Sequence, residues 1–119
     1  MTENIKTKVY DLEERTLEFA KAVISFCKKL SKNSINFPLI NQVVRSSGSV
    51  GANYIEANEA LSKKDFHHRI KICLKEAKES KYWLLLITDS NDEFTKETKP
   101  LIDESIELVK IFSSINSKK

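Results

Sequence analysis

Between Leu39 and Ile55 the chain carries a single charged residue, Arg45, and the surrounding stretch NQVVRSSGSVGANYIEANEA, Asn41 to Ala60, holds both of its glycines, Gly48 and Gly51. A segment built from Val, Ser, Gly and Ala around one arginine is too poor in charge for an ordinary surface helix, whose outer face is polar. It must lie against other elements over most of its circumference. Ile40, Val43, Ser47, Val50, Tyr54 and Leu61 fall on one side of such a helix, and Val44, Gly48, Gly51 and Ile55 on the flank beside it. Arg45, Ser49, Ala52, Asn53, Glu56 and Glu59 make the remaining side. An interior glycine costs a helix about 1 kcal/mol relative to alanine. Two of them predict close approach of a neighbouring helix backbone.

The rest of the chain supplies the neighbours. With two prolines and two glycines in 119 residues, there are too few turn residues for a β-rich fold. Val9, Leu12, Phe19, Val23, Phe26 and Leu30 recur at helical spacing, which predicts a first helix over about residues 8–31, with Lys28, Lys29 and Lys32 complementing the negative end of its dipole. Pro38, tolerated in a first turn, opens the second helix, about 38–61. Ser62 with Asp65 caps a third over 62–88, with Phe66, Ile70, Cys73, Ala77, Leu84 and Ile87 on its apolar side. A fourth, about 97–116, carries Ile102, Ile106, Val109, Phe112 and Ile115 inward, and its tail SINSKK frays. Short links between four helices imply an all-α fold, an antiparallel up-and-down four-helix bundle, as one domain over residues 1–119.

Several chemistries find no support. No glutamate is followed three residues later by histidine, as a bundle di-iron site requires, and adjacent His67 and His68 point about 100° apart on a helix. No metal or other cofactor is expected. The run GSVGAN lacks the spacing of a phosphate-binding glycine loop, and SSGSVG lies in a helical pattern instead of on a nucleophile's tight turn. The chain therefore reads as non-enzymatic, with no catalytic residues. Cys27 and Cys73 lie in helical patterns without metal spacing and read as buried free thiols in a reducing compartment. The longest apolar run, Trp83 to Ile87, is far short of the roughly 18–20 residues of a membrane span, and the start MTENIKTK has no apolar signal segment. A cytoplasmic protein is expected.

Two polar constellations remain. On the third helix Lys64, His68, Lys71, Lys75 and Lys78 are spaced four, three, four and three apart, with Tyr82 beyond them. They are either a solvated face or a nucleic-acid contact in which lysines meet phosphates and Tyr82 stacks on a base. Ser62 to Thr88 holds seven Lys or Arg against three acids, a local +4 that exceeds the +3 of the whole chain. On the second helix Arg45, Asn53 and Glu56 are solvated, or belong to an interhelical polar network in which Arg45 pairs with Glu76 or Glu79 and fixes register, or meet another subunit. Its shortage of charge on all sides predicts a homo-oligomer.

The segment Gln42 to Ile87 resembles the four-helix bundle proteins known as 23S ribosomal RNA intervening-sequence proteins. The residues that carry the resemblance are Arg45 and Ser46, Ala52 and Asn53, Glu56 and Ala57, Ser62, Asp65 and Phe66, Lys75 to Ala77 with Glu79, and Tyr82 to Leu84. It covers more than a third of the chain; Gly48 departs from it, standing where threonine or alanine is expected. The resemblance implies a left-handed antiparallel bundle, frequently a homopentamer. It also implies a bacterial protein of poorly defined molecular role. A related branch serves diversity-generating retroelements as an accessory protein that contacts reverse transcriptase and RNA through a basic surface. RNA and a protein partner such as a reverse transcriptase are thus the expected partners besides further copies of the chain.

Overall fold

A computed structural model describes residues 11–118, which form four α-helices: α1 (Leu12–Cys27), α2 (Asn36–Asn58), α3 (Lys63–Ser90) and α4 (Thr95–Asn116), with a 3-10 turn at Asp92–Phe94 before α4. Each helix packs on its neighbours in sequence, and α1 meets α4 to close the ring; no strand occurs among the described residues. At about 1.5 Å per residue, α3 with 28 residues spans the long dimension of the 44 × 34 × 19 Å molecule.

The helix ends follow local chemistry. The Asp11 carboxylate accepts from the Glu14 amide at 3.1 Å and starts α1; the expected start at Lys8 and Val9 lies outside the described residues. The helix ends at Cys27, earlier than the predicted Ser31. There Lys29 and Leu30 turn back onto the carbonyls of Phe26 and Cys27 in the tighter i to i+3 pattern of a closing turn. Lys32 Nζ donates to the Cys27 carbonyl at 3.4 Å and to that of Leu30 in the closing turn at 2.8 Å, so one of the three expected lysines does meet a carbonyl at the helix end. The side chain of Asn33 accepts from the amides of Ile35 and Asn36, which starts α2 two residues before Pro38. Beyond Asn58 the chain unwinds through Glu59 and Ala60, leaving Leu61 fully exposed instead of in the core. Ser62 Oγ accepts from the Asp65 amide at 3.0 Å, the predicted cap, and α3 runs on to Ser90.

Phe19, Val23, Val43, Val50, Ile70, Leu84, Leu108 and Phe112 lie in one buried cluster. The fourth helix turns a different face inward from the one its pattern suggested. Leu101, Ser105, Leu108 and Phe112 are buried, and of the expected line only Phe112 joins them; Ile102, Ile106, Val109 and Ile115 are half-buried on the flanks.

The two glycines have different surroundings. A Cβ on Gly51 would stand 2.8 Å from Thr16 Oγ1, so this residue does permit close approach of α1 to α2. A Cβ on Gly48 would meet nothing within 4 Å, and the expected close approach is absent there. A buried amide pair links the two ends of the bundle's loops: Asn36 Nδ2 donates to Asn91 Oδ1 at 3.1 Å and Asn91 Nδ2 to Asn36 Oδ1 at 2.9 Å. Across the thinnest seam, α1 to α4, Arg15 grips Glu104 with both a 2.7 Å and a 2.9 Å bond, which raises the Arg15 pKa further above its ordinary value.

Candidate nucleic-acid interface

The outer line of α3 is exposed along its whole length: Lys64, His68, Lys71, Lys75, Lys78 and Tyr82 all face solvent. Helical spacing sets them on one strip because the opposite side of α3 supplies Ile70, Cys73, Ala77, Leu84 and Ile87 to the core. Lys64 and Lys78 are 14 residues apart, about 21 Å along the axis. That run is comparable to several nucleotides of a strand, which advances about 3.4 Å along a helix axis per phosphate.

The acids of α3 do not cancel this charge. Arg45 reaches across from α2: its Nη2 lies 2.9 Å from Glu79 Oε1 and 3.3 Å from Glu76 Oε1, and its Nη1 donates to Glu76 Oε2 at 3.4 Å. The Glu76 Oε1 contact has the range of an ion pair without hydrogen-bond geometry. These carboxylates, Glu76 foremost, raise the Arg45 pKa above its ordinary value. Two of the four acids of α3 are thus turned to α2, and the other two, Asp65 and Asp89, lie near its ends, so the outer strip keeps its lysines.

The α2–α3 seam explains the rest of the small, uncharged stretch. Ser80 Oγ lies 2.9 Å from both Ser46 Oγ and the Glu76 carbonyl, and Cys73 Sγ donates to the Val50 carbonyl at 3.4 Å. Small side chains let the helices meet closely here, and the buried hydroxyls of Ser46 and Ser80 satisfy each other. Asn53 belongs to the same seam, accepting from Arg69 Nη1 at 3.2 Å and donating to the Ser49 carbonyl. Glu56 does not join the network; it is exposed on α2. Arg69, half-buried beside the apolar side of α3, is the cation of this pair, and its place next to Ile70 on the core border is the one sign of it in the sequence.

Burial pushes the Cys27 thiol up to about 11 and the Cys73 thiol to about 12, which leaves both protonated and unreactive at neutral pH. No group of three or more potential metal ligands occurs among the described residues. None of their helices is long and apolar enough to cross a membrane.

The sequence profile of the family described as 23S rRNA-intervening sequence protein matches residues 8–114. A crystal structure at 1.70 Å resolution, of a protein with unknown function from the S23 ribosomal protein family of Bacteroides thetaiotaomicron VPI-5482, superimposes with a TM-score of 0.81. The two chains share 33% identity over 89% of this chain and 98% of that one. No curated protein matches.

Proposed function

Because this chain belongs to the 23S rRNA-intervening sequence protein family, we propose that it is an oligomeric bundle that binds structured RNA, or an RNA–protein complex, through the outer face of α3 and acts without catalysis. The observation that carries the reading is the unbroken exposed line from Lys64 to Tyr82, whose neighbouring acids Glu76 and Glu79 are occupied by Arg45. Lysines free of local carboxylates release counterions from a phosphate backbone with little competition.

Assembly draws support from the opposite side. Leu17 and Ile24 on α1 and Ile55 on α2 are 49%, 40% and 45% exposed, and open Gly48 lies seven residues before Ile55, on the same face of α2. Exposed apolar side chains beside the charge-poor outer side of α2 suit burial against another copy, and the family resemblance makes a pentamer the expected assembly. Light scattering is expected to return a multiple of 13.7 kDa; a mass of one chain at micromolar concentration removes the assembly.

The RNA reading is tested by fluorescence anisotropy with a labelled RNA hairpin at rising potassium chloride. Four lysine contacts at about 0.7 to 0.9 ions each give a log–log slope of about −3 to −3.5, or roughly a 50- to 150-fold loss between 50 and 200 mM. Replacing Lys71, Lys75 and Lys78 with glutamine should reduce that slope by about 2. Absence of salt-dependent association with any RNA at low ionic strength sinks the proposal. If charge reversal on α3 instead leaves capture of a protein partner intact, the chain is an accessory scaffold without a direct nucleic-acid role.

A further inference from the structure

Beside the lysine line, the seam between α3 and α4 opens into a groove of about 530 Å³, within the size range of small-ligand sites. Its floor is Leu85, Ile106 and Val109; its rim is Lys78, Lys81 and Lys110, with the Tyr82 ring at the mouth. Ile106 and Val109 belong to the line that the pattern of α4 sends to the core and that the fold leaves half-buried on its flank. Tyr82 and Leu85 are 57% and 46% exposed, an aromatic and an aliphatic side chain uncovered side by side at a seam between helices. Every charged residue lining the groove is positive.

We propose that this groove receives an unpaired base of a single-stranded RNA segment whose backbone runs along the lysines of α3. The inference rests on the RNA reading above and names the kind of RNA that α3 would take. Continuity of charge decides between this occupant and an acidic amphipathic peptide. A second hollow, lined by Lys71, Leu74, Lys75, Lys78, Asn116 and Glu79, shares Lys78 with the groove; its one carboxylate, Glu79, is held by Arg45, so the lysine track leads along α3 into the apolar floor. A polyanion that carries a flat apolar group on each unit matches a track of this kind. Bases in a duplex are stacked and paired and cannot enter, whereas those of a single strand can stack on an aromatic side chain.

The test compares a labelled 12-nucleotide oligouridine or oligoadenosine with a 12-base-pair RNA duplex, using the full chain. The wild type is expected to prefer the single strand. Tyr82→Ala should weaken single-strand binding by about 5- to 150-fold, the range for losing one stacked base, and leave duplex binding and the salt slope unchanged. Tyr82→Phe should keep the affinity, and Leu85→Glu, at an exposed position, should lower it. Equal binding of the two RNAs, unmoved by Tyr82→Ala and Leu85→Glu, overturns the inference and leaves the α3 reading standing. Failure of both RNAs to bind removes both. An acidic Glu/Leu amphipathic peptide bound by the wild type and lost in Leu85→Glu, with RNA binding unmoved, reassigns the groove to a protein partner and overturns the inference.

Discussion

Alanine at Gly51 and alanine at Gly48 are the same change on one helix, and the structure predicts opposite signs for them. At both positions alanine gains about 1 kcal/mol of helix propensity over glycine. At Gly48 the new methyl meets nothing within 4 Å, so the gain survives, and stability should rise by about 0.5–1 kcal/mol. At Gly51 the methyl would stand 2.8 Å from Thr16 Oγ1 and 3.2 Å from Thr16 Cβ, and the first distance falls short of an ordinary C–H···O contact by roughly half an ångström. The obstruction cannot rotate away cheaply, because Thr16 is buried and its hydroxyl donates to the Leu12 carbonyl at 2.7 Å. Overpacking of this kind costs about 1–3 kcal/mol. Set against the propensity gain, Gly51→Ala should come out destabilised by up to about 2 kcal/mol, a fall in Tm of several degrees for a domain of this size. Urea melts read both values. Adding Thr16→Ala to Gly51→Ala should recover at least about 0.5 kcal/mol relative to the sum of the single changes. If Gly51→Ala is as stable as Gly48→Ala, or the pair with Thr16→Ala is additive, the account of why α2 carries Gly51 is wrong.

Other consequences follow from particular contacts. Asn36→Ala leaves the Asn91 amide buried without its partner and should cost about 2–3 kcal/mol by chemical denaturation; a loss under 0.5 kcal/mol would mean that the pair is not a structural link. Arg45→Ala strands the buried Glu76 carboxylate, and since the arginine is itself about half exposed the loss should be nearer 1 than 3 kcal/mol. Adding Glu76→Gln should return part of it. The raised Cys27 and Cys73 pKa values, about 11 and 12, disfavour the thiolate in the fold. This contribution is fully present below the unfolded thiol pKa of about 8.5–9 and is lost as pH climbs from there toward 11–12. Melts across pH 8 to 11 should show a decline that Cys→Ala or Cys→Ser variants lessen. A thiol reagent should label neither cysteine at neutral pH until the chain unfolds.

The sequence made the α2–α3 seam readable because charge is scarce there. One arginine among small residues leaves few possible partners, and Glu76 and Glu79 are the acids within reach across the seam. The exposed line of α3 was readable for the converse reason: its lysines alternate by three and four against a clear apolar side. The face of α4 was not. Leu101, Ile102, Ile106, Leu108, Val109, Ile111, Phe112 and Ile115 cover a wide arc, so periodicity allows two inward directions about one residue apart. Packing against α3 selects the line through Leu101, Ser105, Leu108 and Phe112, and the buried Ser105 gave no apolar signal for it. For the same reason the groove beside Tyr82 is not legible in the pattern, since two of the three residues of its floor, Ile106 and Val109, fall on the line that the pattern sends to the core. Asn36 with Asn91 and Arg15 with Glu104 are 55 and 89 residues apart, and nothing local in either partner marks the other.

The α3 face is reached most directly by ultraviolet cross-linking of a bound single-stranded RNA to the full chain at low salt, followed by mass spectrometry of the linked peptides. The account predicts links concentrated at Tyr82 and on the surrounding peptide that carries Lys78 and Lys81, with further links toward Lys71 and Lys75. Links concentrated on α1 or on the Leu17, Ile24 and Ile55 face of the bundle, with none on α3, would contradict it.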